Sequence, residues 1–410
     1  LSSLGSRWAV AAAVALLMAV LLSAAPVYGQ PATFDLQAHR GGRGETTEES
    51  LRAFAKAIQT GVSTLELDIV VTRDGQPLVW HDPTIQADKC SDTGPAFPGD
   101  PGYPYVGKLV HQLTVAQIHT LDGGHRLKEF PDAEVVRGNK IATLPEVFAV
   151  ADSHRADAIR YNIETKVEPD DTGASAQPQE FVDVILAAVR SADKLARVEI
   201  QSFDWRTLPL VRRAEPSIPL VALYDERAAG DPVLGARAAG ADIVSPDYRL
   251  VTGKPYVDRA HALGLKVIPW TVDDAEDMRR QIDYGVDGLI TDFPTLARGV
   301  LAELGVPLPP AVPGCGAAGA RGAPHDARPQ QPGRGVDERG DPDELVQRDR
   351  IGFGRGEHPI DVLVERPGYQ RRGALDFGQG EVGVGGQLPG LPDRRRRGAE
   401  ESAREIRCAA

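Results

Sequence analysis

The sequence predicts an α/β chain folded as a (β/α)8 TIM barrel, with an insertion after the second strand and a C-terminal tail outside the barrel. Three observations predict it. Eight β-friendly runs alternate with helix-period runs between Thr33 and Leu304, the arithmetic of eight βα units over about 270 residues. The strand bodies are apolar but carry polar residues at their C-terminal ends, where such a barrel keeps its active site. No glycine-rich phosphate loop follows the first strand in the place a doubly wound open sheet requires.

Taken in order, Thr33 to Ala38 is a short strand ending in His39-Arg40-Gly41-Gly42, whose glycines permit close backbone approach or positive φ. Leu51, Phe54, Ala55 and Ile58 fall at helical spacing, and Gly61 stops that helix. Ser63 to Ile69 is the second strand. The chain then turns at Arg73-Asp74-Gly75 and returns through Pro77 and Trp80 to His81 and Asp82. Residues 83–140 break the rhythm with Gly, Pro and Asp and one short helix near Thr114 to Thr120. An insertion of that length is a functional lid or binding loop. Six further strands follow, starting near Asp157, Arg197, Ile218, Asp242, Leu265 and Val286. Helices are expected to begin near Leu144, Gln179, Trp205, Asp231, Pro255, Asp274 and Pro294.

The 410 residues, 42% of them hydrophobic, suffice for a large core, and the net charge of −12 argues against a nucleic-acid footprint. The segment 1–29 reads as an export signal: Arg7, an apolar run from Trp8 to Leu22, then small residues and a cut near Gly29. Secretion is therefore expected, with a retained N-terminal membrane anchor as the alternative. The barrel domain is expected over 30–306. Residues 307–410 are rich in Gly, Pro and Arg and hold no Lys. They read as a low-complexity tail, disordered or translated out of frame. Cys90, Cys315 and Cys408 form no disulfide framework and no zinc spacing.

Glu66 and Asp68 are two apart on a strand and so point to one side. Alone, they read as the solvent face of an edge strand. Their place in a barrel changes that reading, because the other strand ends supply His39, Arg40, His81, Glu164, Lys166, Gln201, Trp270 and Asp292. Three crowded carboxylates, Glu66, Asp68 and Glu164, call for a cation or a raised pKa. An all-oxygen set favours one hard divalent ion, Ca2+ or Mg2+. A salt bridge from Glu164 to Lys166 is the competing structural use of that acid. Arg40 and Lys166 suit an anion such as phosphate. His39 and His81 suit a general base and a general acid.

Together the pieces Ala38 to Gly44, Leu65 to Asp68 with Thr72 to Gly75, Trp80 to Asp82, Asn162 to Lys166, Gln201 to Phe203, Pro269 to Thr271 and Gly288 to Pro294 resemble the glycerophosphodiester phosphodiesterase family, in its secreted bacterial form. The resemblance runs in order across the barrel. It implies Glu66, Asp68 and Glu164 as metal ligands, His39 and His81 as the acid–base pair, Arg40 and Lys166 on the phosphate, and Trp270 against the glycerol or its leaving group. It implies metal-dependent hydrolysis of a small-molecule glycerophosphodiester to glycerol 3-phosphate and an alcohol, by way of a cyclic phosphate. The alternatives are a phospholipase acting on larger lipids and a non-catalytic barrel that binds glycerophosphoryl polymer. One departure stands out: Glu49 occupies the place of the family's asparagine.

Overall fold

Strand β2 (Thr64–Val71) shows how the sequence builds the barrel. Its side chains alternate between two faces. Leu65, Leu67, Ile69 and Val71 enter the main core beneath the helices, and Glu66 and Asp68 take the opposite face, inside the barrel, where both are buried. The strand is no edge: it pairs in parallel with β1 (Asp35–Ala38) and β4 (Arg160–Thr165). It also pairs antiparallel with the short return strand β3 (Pro77–Val79). The computed structural model describes residues 34–228 and 230–312. The export signal at 1–29 and the tail from 313 onward lie outside the described residues.

The parallel order continues from β4 through β5 (Val198–Ser202), β6 (Leu220–Tyr224), β7 (Ile243–Pro246) and β8 (Lys266–Val267), while β9 (Gly288–Thr291) lies beside β1. Backbone hydrogen bonds from Asp287 to Val267, Ile290 to Pro269 and Val272 to Ile290 join β8 to β9 and bring the barrel round on itself. β8 is shorter than the expected Leu265–Trp270 run because Pro269 has no N–H to donate. Pairing nevertheless continues through the Ile268 and Trp270 amides. Each barrel strand is followed by its helix: α1 (Leu51–Thr60), then, after α2 (Val115–Ile118) within the insertion, α3 (Leu144–Ser153), α4 (Pro178–Ser191), α5 (Leu208–Ala214), α6 (Pro232–Ala238), α7 (Lys254–Ala262), α8 (Ala275–Tyr284) and α9 (Pro294–Glu303). None of these helices is long and apolar enough to cross a membrane.

Helix α1 illustrates the local logic. Ser50 caps it by accepting from the Ala53 N–H at 3.0 Å, a contact worth about 1 kcal/mol. Phe54, Ala55 and Ile58 bury one face. Gly61 ends the helix at φ 91, where a side chain would also collide with the Ala311 backbone. That collision marks a boundary: the chain stays packed on the barrel through Val312, whose N–H bonds to Ile58, beyond the limit expected at 306.

The barrel interior divides in two. Val221, Ile243, Ile268 and Ile290 form an apolar half. Gln37, Asn162, Glu199 and Gln201 form a buried polar half. The insertion has its own small core of Ile85, Tyr105, Val110, Leu113, Ile118 and Leu121, packed on Val70, Leu78 and Trp80. Its helix α2 carries a capping box between Thr114 and Gln117.

Candidate active site

The strand ends converge on a cavity of about 250 Å3 lined by His39, Arg40, Arg43, Glu66, His81, Glu164, Lys166, Gln201, Phe203 and Trp270. Register explains the convergence. Asp68 lies beside Glu164 across the β2–β4 ladder, and Glu164 beside Gln201 across β4–β5. All the candidate residues read from the sequence are thus brought to one end of the barrel, with Asp68 buried beneath the cavity floor.

The three acids form a compact group. One oxygen from each of Glu66, Asp68 and Glu164 lies within 4.8 Å of the others. Burial pushes the Glu66 carboxyl up to about 7 and the Glu164 carboxyl up to about 8, with Asp68 adding repulsion to both. Asp68 goes the other way: in spite of burial, Lys166, His81 and Arg40 hold it well below the usual carboxylate range. Its Oδ2 stands 3.1 Å from the Arg40 Nε as an ion pair, short of hydrogen-bond geometry. Crowded, buried, all-oxygen donors of this kind fit a hard divalent cation. The salt bridge from Lys166 to Glu164 is present at 2.8 Å, with Asp68 at 3.8 Å, so the structural use anticipated for Glu164 is seen beside its place in the carboxylate group.

Arg40 follows His39 in a short turn at φ 50, a left-handed conformation uncommon for a residue with a side chain. That turn aims its N–H at Glu66 Oε2, 2.8 Å away. Its guanidinium lies 3.1 Å from Asp68 and 3.4 Å from Glu48. Glu49 also has a left-handed backbone, and its Oε1 accepts the Asp68 N–H at 3.1 Å. Burial and the Asp68 charge raise its carboxyl well above the ordinary value. The Glu49 carboxyl thus serves as an acceptor for the Asp68 N–H, a role that an asparagine side chain can also fill.

Each histidine sits in a dyad. His39 Nδ1 meets Asp292 at 2.5 Å. Burial opposes charge on this ring, but Asp292 and Glu66 outweigh it and raise its pKa. His81 Nδ1 meets Asp82 at 3.0 Å, and burial lowers this ring to about 4 against the pull of Asp68 and Asp82. Lys89, from the insertion, links the two sides: its Nζ lies 2.6 Å from Asp82 and 2.5 Å from Glu48. Asp292 and Asp82 stood in recognisable motifs, although only the fold reveals their pairing with the histidines. Arg43 also stood within such a motif, Ala38 to Gly44, without being singled out, and Lys89 carried no spacing signal.

Below the acids, a hydrogen-bonded column runs down the polar half of the barrel. Gln201 donates to Glu66 Oε1 at 2.7 Å, and Asn162 donates to Gln201 at 2.9 Å and to Gln37 at 2.8 Å. Gln37 donates to Glu199 at 2.9 Å and Asp35 at 3.1 Å, and Arg160 pairs with Asp35 at 2.7 Å. On the other wall, the Trp270 indole donates to the Ser245 carbonyl at 2.9 Å and meets Phe203 edge-on at 5.4 Å.

The sequence profile of the Glycerophosphoryl diester phosphodiesterase family matches residues 39–296, which include all of these strand ends. The chain belongs to that family. A glycerophosphodiester phosphodiesterase of Caldanaerobacter subterraneus is 30% identical over 257 residues, spanning 63% of this chain and 93% of that one. One from Bacillus subtilis is 28% identical over 271 residues, 63% and 83% of the two chains. Among solved structures, a Silicibacter pomeroyi protein with a provisional name as a glycerophosphoryl diester phosphodiesterase aligns with TM-score 0.60 and 30% identity. It covers 68% of this chain and 96% of its own. An Oleispira antarctica phosphodiesterase solved with sn-glycerol-3-phosphate shares the fold at TM-score 0.52 and 18% identity, over 65% and 96% of the two chains. Each of these relatives is matched over most of its own length.

Proposed function

We propose that the protein hydrolyses glycerophosphodiesters to glycerol 3-phosphate and an alcohol, using one divalent cation, Ca2+ or Mg2+, held by Glu66, Asp68 and Glu164. The observation that carries this reading is the flanking of one three-carboxylate group by two His–Asp dyads within a single cavity. The apolar 1–29 segment supports export, so the reaction belongs outside the cytoplasm.

When bound, the cation supplies Lewis-acid stabilisation of charge building on the phosphoryl oxygens. The chain's own residues do the rest. Lys166 and Arg40 bring positive charge to the phosphate. Asp292 on Nδ1 stabilises the imidazolium that forms when His39 takes the proton from the glycerol hydroxyl next to the ester. That hydroxyl oxygen bonds to phosphorus, the bond from phosphorus to the alcohol breaks, and His81 protonates the departing oxygen. In the second step water opens the cyclic phosphate: His81 takes its proton, and His39 returns one to the glycerol oxygen. Trp270 and Phe203 give the glycerol or the leaving alcohol an apolar wall. The insertion, packed around its own core rather than lying as a loose apolar lid, favours small diesters over intact lipids.

His81→Ala is expected to lower kcat on glycerophosphocholine by at least about 100-fold, and Glu66→Ala to remove activity together with its response to added cation. Near-normal turnover in His81→Ala, in a variant whose circular dichroism matches the parent, would sink the proton-transfer role.

A further inference from the structure

The cavity holds three cations close to one another, and they are not equivalent. Arg40 is pinned between Asp68 and Glu48, and Lys166 between Glu164 and Asp68. Arg43 differs. Its Nε lies 3.2 Å from Glu48 and 4.0 Å from Asp292 as ion pairs without hydrogen-bond geometry, and its terminal amino groups make no hydrogen bond among the described residues. Its side chain is 18% exposed and lines the cavity.

The guanidinium is also held in place. It lies over the ring of Phe130, 4.8 Å from the centroid, and Phe130 meets Phe293 edge-on at 5.9 Å. Phe130 belongs to the insertion and Phe293 to the loop after β9, so two separate segments fix the arginine. A guanidinium paired with Glu48 on its Nε side and stacked on an aromatic face presents its two amino groups as a ready fork for carboxylate or phosphate oxygens. Little side-chain entropy remains to be lost when an anion binds there.

We propose that Arg43 is a specificity-determining residue that recognises a second anionic group on the substrate, so that diesters whose alcohol itself bears a phosphate or carboxylate are preferred. The proposal rests on the phosphodiesterase reading above and adds a substrate class to it. The scissile phosphate belongs at the carboxylate group with Arg40 and Lys166. The fork of Arg43 stands beside the His39–Asp292 dyad and is free for a different group. Phe130 acts through Arg43, as a positioning residue.

The test compares kcat/KM for bis(glycerophosphoryl)glycerol, whose alcohol carries a second phosphate, with kcat/KM for glycerophosphocholine, whose alcohol is cationic. The ratio cancels damage common to both substrates. Arg43→Gln is expected to lower the ratio at least about tenfold, the size of one lost charge-assisted contact, mainly through KM of the anionic diester. Arg43→Lys keeps the charge and retains part of the ratio, and Phe130→Leu lowers it by less than Arg43→Gln does. An unchanged ratio in Arg43→Gln, or an equal loss on both substrates, overturns the proposal. If the parent protein turns over neither diester, the hydrolase reading fails instead. Calorimetric binding of bis(glycerophosphoryl)glycerol then decides for Arg43, and equal affinity in parent and Arg43→Gln contradicts the role.

Discussion

Two residues with the same ring have opposite proton affinities in this cavity. His39 is raised by Asp292 and Glu66 against burial, and His81 is lowered to about 4 by burial. A base must start neutral and an acid protonated, so resting protonation alone suits His39 as acid and His81 as base, the reverse of the order proposed for the first step, and the pH profile decides between the two. Asp292→Asn removes the anion that raises His39, so the His39 pKa falls. If His39 is the base, the rising, acid-side limb of the kcat/KM profile moves to lower pH in Asp292→Asn, with a smaller plateau. A shift of the alkaline limb instead would assign His39 as the acid. At this scale the sequence was informative where chemistry followed strand period: Glu66, Asp68 and Glu164 were legible because alternate strand positions share a face. The dyads were less so. His39 and Asp292 are joined by the β1–β9 register, in which Ala38 stands opposite Thr291, and no local spacing encodes a pairing between the first and last strands.

Among the elements, the insertion carries the most that was hidden. Its existence was legible from its Gly, Pro and Asp content and its broken periodicity. Its core was not, because Ile85, Tyr105, Val110, Leu113, Ile118 and Leu121 come from separate turns that have no common period. Two of its side chains reach the site: Lys89 clamps Asp82 and Glu48, and Phe130 backs Arg43. Lys89 is largely buried, its side chain 12% exposed, so removing it takes a buried cation from Asp82, which keeps His81, and from Glu48, which keeps Arg40 and Arg43. Lys89→Met is expected to destabilise the fold by roughly 3 kcal/mol, read from denaturant unfolding. It should also slow turnover by loosening the Asp82 contact that orients His81. Parent-like stability and turnover together would show that the insertion only covers the site.

As a whole, the molecule couples the two ends of its barrel. The β/α alternation was legible along the chain, since each unit is a local pattern of period two followed by one of period 3.6. The division of the interior was not, because Gln37, Asn162, Glu199 and Gln201 meet only when four strands close side by side. The resulting column fixes how Gln201 faces Glu66: Arg160 holds Asp35, Gln37 donates down to Asp35 and Glu199, Asn162 donates both down to Gln37 and up to Gln201, and Gln201 donates up to Glu66. Glu66 is therefore presented to the cavity from a rigid base, with Asp68 and Glu164 beside it. The central claim is that this carboxylate group holds the divalent cation needed for diester hydrolysis. The most direct test is phosphorus-31 NMR of glycerophosphocholine incubated with chelator-treated protein, followed by addition of Ca2+ or Mg2+. The account predicts no change in the diester signal under chelator and growth of the glycerol 3-phosphate signal once cation is restored. Full turnover in the presence of chelator, or none with either ion, would contradict it.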